Sequence, residues 1–228
     1  MNDDVDDAGL ARLPRILRLR ADLARTDRPA EHAADVCFSA EMVEAFLHAY
    51  TVPGGVVLDP FAGFGTTLHV AERLGRVPIG FEILPDRVSY VRSRLRDPVA
   101  VRLGDVRDMD WDVLPKVDLS ISSPPYMSRN DHWQNPLSGY RTMDGDYHQY
   151  LRDLQRIYGQ IATRACHPGA RIVVNVANLM NTRLAWDLGT ALADVLDFER
   201  EIILDWDRPQ DWFTQDYCLI FRPPRATT

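Results

Sequence analysis

The chain has 228 residues, a formal net charge of −7, 46% hydrophobic residues and 26% charged residues. That length suits one sheet-centred domain, and the negative charge argues against gripping nucleic acid over the whole surface. No apolar run approaches the roughly 20 residues needed to cross a bilayer. Met1 leads into acidic residues rather than a signal segment, so a cytoplasmic protein is expected. Cys37, Cys166 and Cys218 are scattered without ligand spacing and read as reduced thiols, not as disulfides or a metal site.

After Asp3, Asp4, Asp6 and Asp7 come Arg12, Arg15, Arg18, Arg20 and Arg25, interleaved with Leu10, Leu13, Ile16, Leu17 and Leu23. This stretch reads as a helix in an arginine-rich appendage over residues 1–30, lying either along a phosphate backbone or on the domain. The composition changes at Arg28-Pro29-Ala30, and the domain proper is expected over 31–228.

A helix is expected from Phe38 to Tyr50, capped by Ser39, with Met42, Phe46, Leu47 and Tyr50 at helical spacing. The apolar run Val56-Val57-Leu58 then reads as a strand entering the turn Asp59-Pro60-Phe61-Ala62-Gly63-Phe64-Gly65-Thr66-Thr67. Further elements follow in alternation: helix 66–74, strand 77–83, helix 86–96, strand 99–103 and strand 117–121. Residues 127–146 are polar and read as a loop. Helix 147–165 precedes a turn at His167-Pro168-Gly169, followed by strand 171–176, helix 184–196 and two consecutive strands, 199–205 and 217–221. The alternation predicts a doubly wound α/β fold with a mostly parallel sheet, helices on both faces and an antiparallel C-terminal hairpin at its edge.

The turn after the first of these strands suits a ligand, because Gly63 and Gly65 lack a Cβ and let backbone approach closely. Its Gly-Phe-Gly spacing lacks the third glycine of the dinucleotide pattern and the lysine of a phosphate loop. Glu82, about twenty residues on at the next strand end, is placed to accept hydrogen bonds from both hydroxyls of a ribose. Asp105, at the end of the strand after that, is placed to accept from an adenine amino group or to cap the following turn. Three strand ends thus offer an adenosine site. The strand 117–121 delivers a second motif, Ser122-Ser123-Pro124-Pro125-Tyr126.

With both motifs in view, the chain resembles the S-adenosylmethionine-dependent amino-methyltransferases, which carry an Asp-Pro-Phe-Xaa-Gly-Ser-Gly-Thr loop and a Ser-Pro-Pro-Tyr or Asp-Pro-Pro-Tyr motif. The resemblance spans most of residues 38–222 and implies a Rossmann-like, seven-stranded sheet with a reversed last strand. It places Asp59, Phe61, Gly63, Gly65 and Thr66 on the cofactor loop, Glu82 on the ribose carboxylate and Asp105 on the adenine contact, with S-adenosyl-L-methionine as cofactor. It departs from the family pattern at Phe64, where serine is usual, and in the missing lysine-proline lead-in to the helix 38–50.

The resemblance also makes Ser123, Pro124, Pro125 and Tyr126 the catalytic turn. An exocyclic amine on a nucleobase is a poor nucleophile until acceptors hold its N–H groups and direct its lone pair. The Ser123 oxygen and the Pro124 carbonyl are suited to that, the prolines stiffen the turn, and Tyr126 is suited to stack on a flipped base. Serine at the first position is associated in this family with cytosine N4. Substrate contacts are expected from Arg129, Trp133 and Tyr140 in the loop 127–146, which also holds Asn130, His132, Gln134, Asn135 and Arg141. Trp206, in the segment Asp205–Pro209 near Trp212, is weighed between substrate contact and edge packing. The expected activity is methylation of cytosine N4 in DNA, the alternatives being an RNA base methyltransferase or a non-catalytic nucleic-acid-binding module. Neither the interval between motifs nor the tail after Phe221 holds an obvious sequence-reading region, so the expectation is a DNA enzyme of relaxed specificity, a subunit with a separate specificity partner, or an RNA enzyme that reads shape.

Overall fold

The computed structural model describes residues 13–20, 39–127, 134–179, 182–208 and 213–225. Eight strands form one sheet: β1 (Ile16–Leu19), β2 (Val56–Asp59), β3 (Val77–Glu82), β4 (Val101–Leu103), β5 (Val117–Ser122), β6 (Cys166–Leu179), β7 (Asp197–Trp206) and β8 (Phe213–Arg222). Their order is β1-β7-β8-β6-β5-β2-β3-β4. β8 runs antiparallel to β6 and β7, and every other neighbouring pair is parallel. The reversed strand is the C-terminal hairpin anticipated from two strands with no helix between them.

Side chains alternate between the two faces along the strands. On β6, Val173 enters one core with Leu47 and Phe46 of α1 (Ala40–Tyr50) and Val70 of α2 (Thr66–Arg73). Its neighbours Ile172, Val174 and Val176 enter the opposite core, with Leu154 and Tyr158 of α4 (Tyr147–Gln160) and Leu188 of α5 (Leu184–Ala193). α3 (Pro85–Arg92) packs beside α2, where Val88 and Val91 meet Leu68 and Val101. The Ser39 hydroxyl caps α1 by accepting the Met42 N–H at 3.4 Å, and the Asp146 carboxylate caps α4 from Gln149 at 2.6 Å. No helix among the described residues is long and apolar enough to cross a membrane.

Ile16–Leu19 is a strand, not part of a helix, and it belongs to the sheet. It lies parallel to β7, with Ile16 opposite Ile203 and Leu19 opposite Trp206. The Arg15 carbonyl accepts from Ile203 N at 3.0 Å, and the Leu19 carbonyl accepts from Asp207 N at 3.0 Å. Half-buried Leu17 and buried Leu19 alternate with exposed Arg18 and Arg20, a period of two that the surrounding leucines disguised as a helical stripe. Arg18 lies 3.6 Å from Asp205 and Arg20 3.7 Å from Glu41, so both face carboxylates of the domain. Arg12 and Arg25 lie outside the described residues. Among the described residues the sheet therefore has eight strands where seven were expected, and β1, not the hairpin, forms its edge. His167–Gly169, expected as a turn, lie inside β6, where the register on β5 breaks between Val117 and Leu119. The helix expected to Ala165 turns into a π-turn over Ile161–Ala165.

Candidate active site

At the carboxyl ends of β2, β3 and β5 lies a cavity of about 480 Å³, within the range of small-molecule sites. Residues Asp59 to Phe64 and Thr66 line it, with Glu82, Asp105 and the whole turn Ser123–Tyr126. The two motifs thus open into one space because their strands are neighbours in the sheet.

The two glycines of the loop do different work. Gly63 has φ +55°, and a Cβ built there would meet nothing closer than the Phe61 carbonyl at 3.9 Å, so its bare backbone faces open cavity. Gly65, at φ +79°, does not line the cavity; a Cβ there would sit 2.7 Å from Val91 Cγ1. It serves close packing of the loop against α3. Phe64, in the place of the usual serine, is buried against Tyr90 with ring centroids 5.9 Å apart, and the Arg87 guanidinium lies 4.7 Å from its ring centre.

Two carboxylates brace the loop. Asp59 Oδ1 accepts from Phe61 N at 3.0 Å, and burial pushes its carboxyl up to about 7. Glu82 Oε2 accepts from Gly63 N at 2.9 Å and Oε1 from Leu84 N at 2.8 Å. Burial raises the Glu82 carboxyl as well, against the lowering effect of those amides. The Ile83 amide also bonds the Glu82 carboxylate, which still leaves acceptor capacity for a ligand hydroxyl. Asp105 lines the cavity and also caps a 3-10 turn, accepting from Arg107 N and from Arg107 Nε, both at 2.9 Å. Burial acts to raise its carboxyl, yet the bonds from Arg107 hold it below its ordinary value.

The proline turn is fixed by phenols. Tyr150 on α4 donates to the Pro125 carbonyl at 2.9 Å and Tyr140 to the Tyr126 carbonyl at 3.0 Å. Among the described residues no donor reaches the Pro124 carbonyl. The Tyr126 hydroxyl accepts from Ala177 N at 3.2 Å and lies 3.2 Å from Ser123 Oγ; burial raises its pKa. Since the hydroxyl accepts from an amide, its own hydrogen is available to Ser123, whose oxygen retains a second acceptor site.

Tyr140 lines the cavity, half exposed, with the left-handed φ of 61° rarely adopted by residues other than glycine. The local geometry holds it: Tyr140 N donates to the Asn135 carbonyl at 3.0 Å, and a Cβ on Gly139 would approach Leu84 Cδ2 to 2.9 Å. The segment 134–146 therefore joins the Glu82 side of the cavity to the Tyr126 side. Arg129, Asn130, His132, Trp133, Pro209 and Trp212 lie outside the described residues. Trp206 does not line the cavity; its indole N–H is turned to Asp216 Oδ2 at 3.1 Å and its ring packs against the α1-side core. The structure places it in edge packing.

Asn175 and Leu179 of β6 and Pro136 and Leu137 of the loop also line the cavity and were not singled out from sequence. Asn175 had a signal: it is a lone polar residue in the run Ile172-Val173-Val174-Asn175-Val176-Ala177, where a central strand calls for apolar side chains.

A DNA methylase family model of the N6/N4 type matches residues 21–93, the part of the chain that carries the loop and Glu82. Type II methyltransferase M.ScaI of Streptomyces caespitosus is 36% identical over 76 residues, 33% of this chain and 23% of that protein. Type II methyltransferase M.BamHI of Bacillus amyloliquefaciens is 32% identical over 107 residues, 47% of this chain and 21% of that protein. The chain thus matches less than a quarter of the length of these relatives. PH0226 of Pyrococcus horikoshii superposes with a TM-score of 0.59 at 14% identity over 88% of this chain and 95% of that one, a likeness of fold.

Proposed function

We propose that this chain transfers a methyl group from S-adenosyl-L-methionine to an exocyclic amine of a DNA base, cytosine N4 in particular. The observation that carries the reading is the shared cavity: the glycine loop with Glu82 on one side and Ser123–Tyr126 on the other. The residues fit the cofactor, since Gly63 leaves room for close approach and Glu82 keeps acceptor capacity toward ribose hydroxyls. When bound, the cofactor supplies an electrophilic methyl group on a sulfonium.

The chain's own residues do the rest. Asp59 and Glu82 hold the loop backbone, and Asp105 closes the adenine side. Ser123 Oγ and the Pro124 carbonyl accept the amine hydrogens and orient the nitrogen lone pair, a contribution of positioning with no strong base. Tyr126 presents its ring to a flipped base while its hydroxyl holds Ser123. Cytosine N4 rather than adenine N6 rests on the serine at the head of the motif, and DNA rather than RNA on the DNA methylase match, which leaves the RNA alternative without support. Tritium transfer from labelled cofactor to DNA tests the reading: counts in DNA and none in RNA are expected, while cofactor binding without transfer to any nucleic acid would overturn it.

A further inference from the structure

Behind the catalytic turn lies a buried polar relay that the proposed chemistry has not used. Asp216 on β8 is only 5% exposed and lies outside the cavity lining. Its Oδ1 accepts from Asn175 Nδ2 at 2.7 Å and its Oδ2 from the Trp206 indole at 3.1 Å. Asn175 Nδ2 also donates to the Tyr217 carbonyl at 3.0 Å, so both amide hydrogens are spent on acceptors. Turning the amide over would set its oxygen against a carboxylate and a carbonyl, an arrangement with no hydrogen to share. The Asn175 carbonyl is therefore committed to the other direction, and Asn175 lines the cavity beside Ser123 and Tyr126.

We propose that the Asn175 carbonyl, backed by the Asp216 carboxylate, stabilises the positive charge that develops on the target nitrogen as its lone pair forms the N–C bond and the sulfonium S–C bond breaks to leave a thioether, the extra amine proton then passing to solvent water. Asp216, clamped by Trp206, is the positioning residue that fixes the amide. This rests on the methyl-transfer reading and deepens it. A carbonyl dipole held in advance costs no reorganisation at the moment of reaction, and a water-poor pocket strengthens its effect. Burial moves the Asp216 carboxyl up to about 6, while the bonds from Asn175 and the Trp206 indole act the other way and favour its charged form. Trp206, which clamps Asp216, thereby gains a role without touching substrate.

The test uses the full chain and four variants: Asn175→Leu, Asp216→Asn, their double mutant, and Trp206→Phe. Asn175→Leu is expected to lower kcat about 30-fold with cofactor affinity within about twofold of wild type, and Asp216→Asn to lower it about 10-fold. In the double mutant Asp216→Asn should add nothing, because it acts only through Asn175. A merely structural Asp216 would instead lower activity to the same extent in both backgrounds, which would overturn the proposal, as would unchanged turnover in Asn175→Leu. If Asp216→Asn does not fold, Trp206→Phe keeps an aromatic ring, though a smaller one, and removes the clamp; a drop in kcat of about threefold is expected, abolished in the Asn175→Leu background, and no drop counts against the relay. A second readout is independent of catalysis: the Asn175 side-chain amide hydrogens should be protected from exchange in wild type and lose protection in Asp216→Asn. Fast exchange in wild type contradicts the orientation. Wild type that keeps this protection but methylates nothing would sink the methyl-transfer reading instead.

Discussion

The two sides of the cavity are built in different ways. The cofactor side is made from short local turns after β2, β3 and β4, in which each functional residue ends a strand and binds backbone within a few residues or across one strand pair. The base side draws the Ser123–Tyr126 turn after β5, Ala177 and Asn175 on β6, Asp216 on β8, Tyr150 on α4 and Tyr140 from the loop. Local construction yields a rigid cradle; assembly from distant elements yields a reaction geometry that depends on many remote contacts.

The contrast is sharpest in how substitutions should divide between turnover and cofactor affinity. Tyr126→Ala removes a cavity wall and the partner of Ser123, and is expected to lower kcat roughly 100-fold or more with cofactor affinity nearly intact. An equal loss of cofactor affinity, measured by calorimetry, would break the division. Gly65→Ala forces a Cβ to within 2.7 Å of Val91 at a left-handed backbone position, so it should destabilise the protein by roughly 2–4 kcal/mol in denaturant titration. Gly63→Ala meets open space, and its stability cost should be about 1 kcal/mol, with its damage seen in cofactor binding. Equal destabilisation by the two alanines would remove the distinction between packing and ligand approach. Glu82→Ala should weaken cofactor binding by about 1–3 kcal/mol, and wild-type affinity in that variant would remove the ribose assignment.

The smallest expected effect is one of pH. Asp59, Glu82 and Asp216 hold their protons more tightly in the fold than in the unfolded chain, with Asp59 raised from 3.8 to about 7 and Asp216 from 3.8 to about 6. Between those limits the folded protein binds more protons than the unfolded one, so stability falls as pH rises through the window. The Tm of the ligand-free protein should drop by roughly 5 °C from pH 5 to pH 7.5, and Asp59→Asn should flatten much of that slope. A Tm that climbs over the same range would contradict the burial of these carboxyls.

The same contrast decides what was legible in the sequence. The order and type of the central elements, and the residues of the glycine loop, follow from local patterns: an apolar run, a glycine turn, an acidic strand end. The meaning of Asn175 depends on which strands lie beside β6 and on Asp216 some forty residues away, and no local pattern carries that. Ile16–Leu19 was misread because alternation over four residues is weaker than a leucine stripe over fourteen, and only the open flank of β7 selects the strand. Substrate contact and edge packing stay balanced for Trp206 in the sequence because its partner, Asp216, is recognisable only once β7 and β8 are paired.

The cavity is proposed to methylate an exocyclic amine in DNA. Incubation of the purified chain with S-adenosyl-L-methionine and DNA, digestion to nucleosides and mass analysis tests it most directly. The expected product is N4-methyldeoxycytidine; N6-methyldeoxyadenosine in its place would contradict the cytosine assignment, and DNA that gains no methyl group would contradict the account as a whole.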